Sequence, residues 1–160
     1  MGKIALADPK GLEFAKYDGL TLITPNRKEA VRAAGLGAHD EPSLFAAGKR
    51  LLDAVAIEKL IVTCGRDGMV LFERGVAPVK FATRPRQVYD VSGAGDTVAA
   101  VLALGLAAGF TYPDAIGLAN TAAGIVVGKL GTAAVTRTEL LEALQPSTAA
   151  TAEHERRPPQ

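Results

Sequence analysis

Eight residues in the second half of the chain, Asp90-Val91-Ser92-Gly93-Ala94-Gly95-Asp96-Thr97, combine small side chains with two carboxylates and lead into an apolar run. Small residues let a backbone approach a ligand closely, and the N–H groups at a helix start form an anion site. Asp96 sets a carboxylate beside that site. For phosphate binding alone the like charges repel. The pairing suits a base that takes a proton from an attacking hydroxyl while the amides hold a phosphoryl group. The same residues also read as a glycine-rich turn whose acid complements the helix dipole. Spacing alone leaves both readings standing.

Two other phosphate motifs fail on inspection. A dinucleotide fingerprint starting at Gly93 needs glycine where Val98 stands. Gly124 to Lys129 resembles a Walker loop but is one residue short, and Leu130 replaces the required Ser or Thr. Asn26-Arg27-Lys28-Glu29 follows an apolar run and Pro25. It reads as a capping box, or as a site where Glu29 is an outer, water-mediated ligand of a nucleotide-bound Mg²⁺. Thr63-Cys64-Gly65-Arg66-Asp67-Gly68 reads as a plain turn, or as a loop under a nucleotide at a strand end. Cys64 reads as a small packing residue. His39 and His154 have no ligand spacing around them. Asn120 is a polar residue on an apolar helix, either a satisfied amide or a ligand contact.

The elements that must position these residues alternate between strand and helix. Short apolar runs at Ile4-Ala5-Leu6-Ala7, Leu20 to Thr24 and Lys59 to Thr63 predict buried strands. Met69 to Glu73 and Val76 to Phe81 predict two more, joined at Arg74-Gly75, with Pro78 putting the second at an edge. A helix starting at Glu41-Pro42 carries Leu44, Leu51, Leu52 and Val55 on one face. A long apolar helix follows Gly95-Asp96 and ends at Gly109, and it reads as buried in the core. Thr111 caps the next, with Ile116, Ala119, Ala123, Val126 and Val127 at helical spacing. Thr136 and Glu139 form a capping box for the last, which Pro146 ends. This order predicts an α/β layer fold with a largely parallel sheet. Residues 147–160 hold no Leu, Ile, Val or aromatic residue and read as a disordered tail.

Length and composition narrow the classes further. The 160 residues are 48% hydrophobic and 22% charged, close to an average globular domain. Eighteen Lys and Arg against 17 Asp and Glu give a formal net charge of +1, which argues against nucleic-acid or membrane-surface partners. The longest apolar run, Val98 to Phe110, is too short for a membrane span. One cysteine excludes an internal disulfide and a zinc module. No signal peptide is visible, and the expected location is cytoplasmic.

Taken together, these motifs resemble the PfkB/ribokinase family of sugar kinases over residues 3 to about 145. Val91 to Thr97 is similar to that family's C-terminal signature, and Asn26-x-x-Glu29 and Thr63-x-Gly65-x-x-Gly68 match its other elements in place and order. Asp8-Pro9-Lys10-Gly11, Leu22 to Asn26 and Leu118-Ala119-Asn120 through Gly131-Thr132 look most like its heptose-phosphate kinase branch. The resemblance implies a Rossmann-like three-layer α/β/α ribokinase fold, C-terminal portion only, spanning residues 1–145 before the tail at 146–160. It implies ATP-dependent phosphorylation of D-glycero-D-manno-heptose 7-phosphate at the anomeric hydroxyl. Asp96 is then the base, and the amides around Gly93, Ala94 and Gly95 stabilise the transferring phosphoryl group. Asn26 and Glu29 organise Mg²⁺ and ATP, Thr63, Gly65 and Gly68 line the nucleotide site, and Asn120 lies near the adenine. Lys10 is a phosphate contact, and Asp90, Val91 and Gly131 mark where relatives hold a monovalent cation such as K⁺.

The family's N-terminal half, with its first strands, lid and most sugar contacts, has no counterpart here. That leaves one side of the sheet uncovered and favours self-association or pairing with the missing half. It also leaves two alternatives: a non-catalytic or merely ATP-binding fragment, or a portion of another sugar kinase of the family, such as a ribokinase or fructokinase.

Overall fold

The computed structural model describes residues 3–83 and 89–145. The tail expected at 146–160, with Pro146 and His154, lies outside the described residues.

Five strands form one sheet in the order β1 (Leu6–Ala7), β2 (Leu22–Ile23), β3 (Lys59–Thr63), β4 (Met69–Glu73), β5 (Val79–Phe81). β1, β2 and β3 pair in parallel, while β4 pairs antiparallel with both β3 and β5. Only β4 runs against the rest, so the sheet is largely parallel in direction but ends in a meander. The β3–β4 connection is short enough for a hairpin-like reversal, which a parallel crossover would not allow. β5 begins after Pro78 and is the edge strand expected, because proline has no N–H to give the ladder. β1 and β2 are shorter than the apolar runs predict. Ala5 still holds the two together, its carbonyl accepting the Thr21 and Leu22 amides and its own N–H donating to Thr21 Oγ1.

Strand alternation sends side chains to two cores. Ile23, Leu60, Val62, Val70 and Phe72 face one side, where α2 (Glu41–Ala54) contributes Leu44, Leu51 and Leu52 and α1 (Arg27–Ala33) contributes Ala30. Leu22, Ile61, Met69 and Leu71 face the other, against Val98, Val101 and Leu102 of α3 (Ala94–Ala107) and Ile116 and Ala119 of α4 (Tyr112–Val126). Helices therefore cover both faces of the sheet, giving the three-layer α/β/α order. The uncovered part is an edge: β1 pairs only with β2 among the described residues.

Helix ends follow the sequence signals. Asp40 accepts the Ser43 amide at the start of α2, and Thr111 does the same for the Asp114 amide at α4. Capping boxes open α1 at Asn26/Glu29 and α5 (Arg137–Leu144) at Thr136/Glu139. One expectation fails at α3, which is not a fully buried helix. Its Val98, Val101, Leu102 and Leu106 are buried, but Leu104 on the opposite face is 70% exposed. The sheet and α4 occupy one side of it, and alanines and Leu104 face outward.

Candidate active site

The strands β1, β2 and β3 run in one direction, so the segments that follow them gather at one end of the sheet. Lys10 follows β1, Asn26 follows β2, and the turn Gly65–Asp67 follows β3. The Asn26 backbone continues the ladder as a bridge to Thr63, and Thr63 N–H donates to the Pro25 carbonyl at 3.0 Å. This fixes the Asn26 and Thr63 loops side by side.

Gly93 opens α3 from a left-handed conformation, φ 78°, which glycine adopts without steric cost. The first intrahelical bond is Thr97 N–H to the Gly93 carbonyl at 2.9 Å, reinforced by Thr97 Oγ1 donating to the same oxygen. The Ala94 amide donates to Val91 at 3.3 Å. The amides of Gly95 and Asp96 precede any intrahelical acceptor and carry the positive end of the helix dipole. Asp96 lies in this first turn and is exposed.

A groove of about 760 Å³ lies between these parts. Thr63, Gly65, Arg66, Gly68 and Met69 form one wall. Val91, Ala94, Gly95 and Val98 form a second. Asn120, Ala123, Gly124 and Val127 form a third, with Thr83 at the end of the segment after β5. The expected site residues Thr63, Gly65, Gly68, Ala94, Gly95 and Asn120 thus meet around one space, and Val91 lines it too.

Gly93 and Asp96 flank the lining residues Ala94 and Gly95 in sequence but do not themselves line the groove, and neither do Lys10, Asn26, Glu29, Asp90 and Gly131. Asn26 and Glu29 satisfy each other: Asn26 Oδ1 accepts the Glu29 amide at 2.9 Å, and Glu29 Oε2 accepts the Asn26 amide at 2.8 Å. The capping box is real, and it leaves one Glu29 carboxylate oxygen for other partners. Lys10 donates to Asp8 at 2.7 Å. That bond raises the Lys10 ammonium above an ordinary lysine, opposed by burial and supported by the charges of Asp8, Glu29 and Asp96. The lysine therefore lies in the field of three carboxylates at the sheet end. Its backbone is held by the Tyr17 hydroxyl, which accepts the Lys10 amide at 2.8 Å, and by Lys16, which donates to the Lys10 carbonyl at 2.9 Å.

Asp90 accepts the Ser92 amide at 2.8 Å. That amide, the Ser92 hydroxyl and then the Gly131 and Val91 amides hold the Asp90 carboxyl below its usual range. Thr132, next to Gly131, comes close to Gly93, where an added Cβ would meet its methyl at 3.4 Å. Burial pushes the Cys64 thiol up, only partly opposed by Arg27. The thiol stays protonated, which matches a packing role. The Walker-like Lys129 is committed elsewhere, to Glu139 at 2.6 Å and the Ala134 carbonyl at 2.8 Å.

Several groove residues escaped the sequence reading. Ala123 and Val127, taken there for core positions, are only half-buried and line the groove with Gly124. They recur at three, four and seven residues from Asn120, a small-residue stripe that helical spacing could have revealed. Thr83 carried no such signal, because its place depends on how the segment after β5 is folded.

Residues 6–139 match the model of the pfkB family carbohydrate kinases. The chain belongs to the pfkB family of carbohydrate kinases. The bifunctional protein HldE of Desulfatibacillum aliphaticivorans is 53% identical over 144 residues, which are 90% of this chain and 29% of that protein. The chain thus spans under a third of the curated relative it matches. Among solved pfkB-like structures, a ribokinase from Thermotoga maritima superposes with a TM-score of 0.80 at 24% identity, covering 90% of this chain and 50% of that one. The Arabidopsis thaliana ribokinase complexed with ribose and ATP gives 0.74 at 26% identity, over 81% of this chain and 42% of that one. The three-layer architecture is that of the ribokinase fold.

Proposed function

We propose that this pfkB chain is the nucleotide-binding and catalytic-base portion of an ATP-dependent kinase of D-glycero-D-manno-heptose 7-phosphate. The observation that carries the reading is the single groove into which the Thr63–Gly68 loop, the start of α3 and Asn120 converge. The identity to HldE supports the heptose branch, and the ribokinase bound to ribose and ATP supports a sugar and ATP as co-substrates.

In this reading ATP lies along the groove with its phosphates toward the N-terminus of α3. The anomeric oxygen of the sugar attacks the γ-phosphorus as its proton passes to the Asp96 carboxylate. The bond from the γ-phosphorus to the β-bridging oxygen breaks, and ADP leaves with that electron pair. The amides of Gly95 and Asp96, fixed in place before the reaction, meet the charge on the transferring group without reorganising. Lys10, on which the Asp96 charge acts, is the cation that would meet phosphate at this end of the sheet.

Among the described residues no cluster of three His, Cys, Asp or Glu could hold a bare metal. The free oxygen of Glu29 would hold a hydrated Mg²⁺ through water, and that ion would supply charge neutralisation at the phosphates. Asp90, Val91 and Gly131 would flank a monovalent cation at the turn beyond α3.

The test is turnover by Asp96→Asn in the chain joined to the N-terminal portion that its relatives carry. Turnover with heptose 7-phosphate falls by at least a thousandfold, on the order expected for loss of a general base acting with a preorganised anion site, while ATP affinity holds. Undiminished turnover overturns the role of Asp96. Preference for ribose or fructose in the parent protein replaces heptose by another sugar of the family. The chain's coverage of under a third of HldE favours a second, compatible reading: alone it binds ATP without transferring phosphate. Sugar phosphorylation by the isolated chain contradicts it.

A further inference from the structure

Asn120 is a satisfied amide, one of its two sequence readings, and the groups that satisfy it come from a distant segment. Its Nδ2 donates to two successive carbonyls, Phe81 at 3.3 Å and Ala82 at 2.9 Å. These belong to the segment that leaves the edge strand β5, 38 or 39 residues away in sequence. That segment is gripped from the other side by Gly68, where an added Cβ would fall 2.0 Å from the Phe81 oxygen and 2.9 Å from the Thr83 nitrogen. Residues 81–83 therefore form a strap between the Gly68 loop and α4.

The strap divides two spaces. The groove of about 760 Å³ lies on one side, and a smaller pocket of about 270 Å³ lies on the other, between Phe81, Ala82, Gly117 and Thr121. Thr83, Asn120 and Gly124 line both. Phe81 packs on the core that α3 and α4 build, while Gly117 and Gly124 leave the α4 face beside Ala82 and Thr83 without bulk. The Asn120 carboxamide adds a polar tie at that face.

We propose that Asn120 is a positioning residue for the nucleotide: by tying the 81–83 strap to α4 it fixes the outer wall of the groove and keeps the two spaces separate. This rests on the groove being the ATP site. It differs from that reading in giving Asn120 its effect through the strap rather than by touching the nucleotide. ATP binding falls when the tie is cut because the bound nucleotide must then order a loose wall.

Asn120→Leu keeps the side-chain size and removes both donors without adding charge. Asn120→Gln keeps the donors on a longer arm. Two measurements on the purified chain decide the matter: hydrogen exchange of the 81–83 amides without nucleotide, and the Kd for Mg-ATP beside that for inorganic tripolyphosphate. In Asn120→Leu, exchange at the strap rises and the Kd for ATP rises about tenfold, the scale of one lost net hydrogen bond. Tripolyphosphate binding, which needs only the α3 end, stays at the parent value, and Asn120→Gln recovers most of both losses. A loosened strap with unchanged ATP binding makes the tie structural only and overturns the proposal. Weakened ATP binding with unchanged exchange makes Asn120 a direct ligand contact and also overturns it. If the parent chain binds no ATP, the groove reading itself fails, a result distinct from either.

Discussion

Replacing Gly68 by alanine tests the arrangement of the site more severely than any change at a catalytic group. Gly68 has φ 87° and ψ −130°, a region that residues with a Cβ rarely enter. Holding alanine there costs about 1–3 kcal/mol in backbone strain. Its Cβ would also sit 2.0 Å from the Phe81 carbonyl oxygen. That is about 1.3–1.6 Å inside an ordinary carbon–oxygen contact, and the opposing atom is backbone that no rotamer change can withdraw. Relieving the overlap moves the strap and adds about 1–3 kcal/mol, as other overpacked sites do. The sum is roughly 2–6 kcal/mol, a large share of a small domain's stability. Gly75→Ala is the matched control, since Gly75 has φ +73° and nothing within 4 Å of an added Cβ. It carries only the left-handed penalty, about 1–2 kcal/mol. Urea unfolding of the two variants and the parent gives the difference directly, with unchanged m-values showing that midpoints report stability. Equal losses at the two glycines would refute the packing of the strap on Gly68.

Two further outcomes follow from side chains outside the groove. Arg74 donates to the carbonyls of Val55 at 2.8 Å, of Ile57 at 2.5 Å and of Leu52. These bonds close the end of α2 and the loop beyond it. Arg74→Ala should cost about 1–3 kcal/mol in urea unfolding, with Arg74→Lys recovering only part, because one ammonium cannot span three carbonyls. Glu139 is lowered from 4.5 to about 2, first by Lys129 and then by the Thr136 amide and hydroxyl. A depressed carboxyl stabilises the fold above its ordinary value and loses that contribution as pH falls toward the folded one. The melting temperature of the parent should therefore exceed that of Glu139→Gln at neutral pH, and the gap should close between about pH 4.5 and 2. A gap that is constant across that range removes the charge from the explanation.

Local signals carried much of this structure. Lys59–Thr63 and Met69–Glu73 are strands over the predicted residues, because each run alternates between two apolar cores and ends at a glycine turn. Both capping boxes were legible because the donor and acceptor lie three residues apart. What escaped depended on distant partners. The outward face of α3 looked buried because alanine and leucine do not announce which side meets the sheet. Arg74 looked like a turn residue, since its three acceptors come from a helix end 17 to 22 residues earlier. The same holds within the site. The glycine loop and Asp96 could be picked out from their spacing, while the Asn120 bonds to Phe81 and Ala82 became visible only when β5 brought that segment to α4. At the start of α3, Ala94 N–H is engaged by Val91, which leaves Gly95 and Asp96 with the open donors.

Titrating the isotope-labelled chain with Mg-ATP while following its backbone amide resonances tests most directly whether ATP binds in the groove where these elements meet. Binding there gives saturable shifts concentrated at Thr63 to Gly68, at Gly95 and Asp96, and at Asn120 to Gly124, with little change along α2. Shifts clustered elsewhere, or none at millimolar nucleotide, would contradict it.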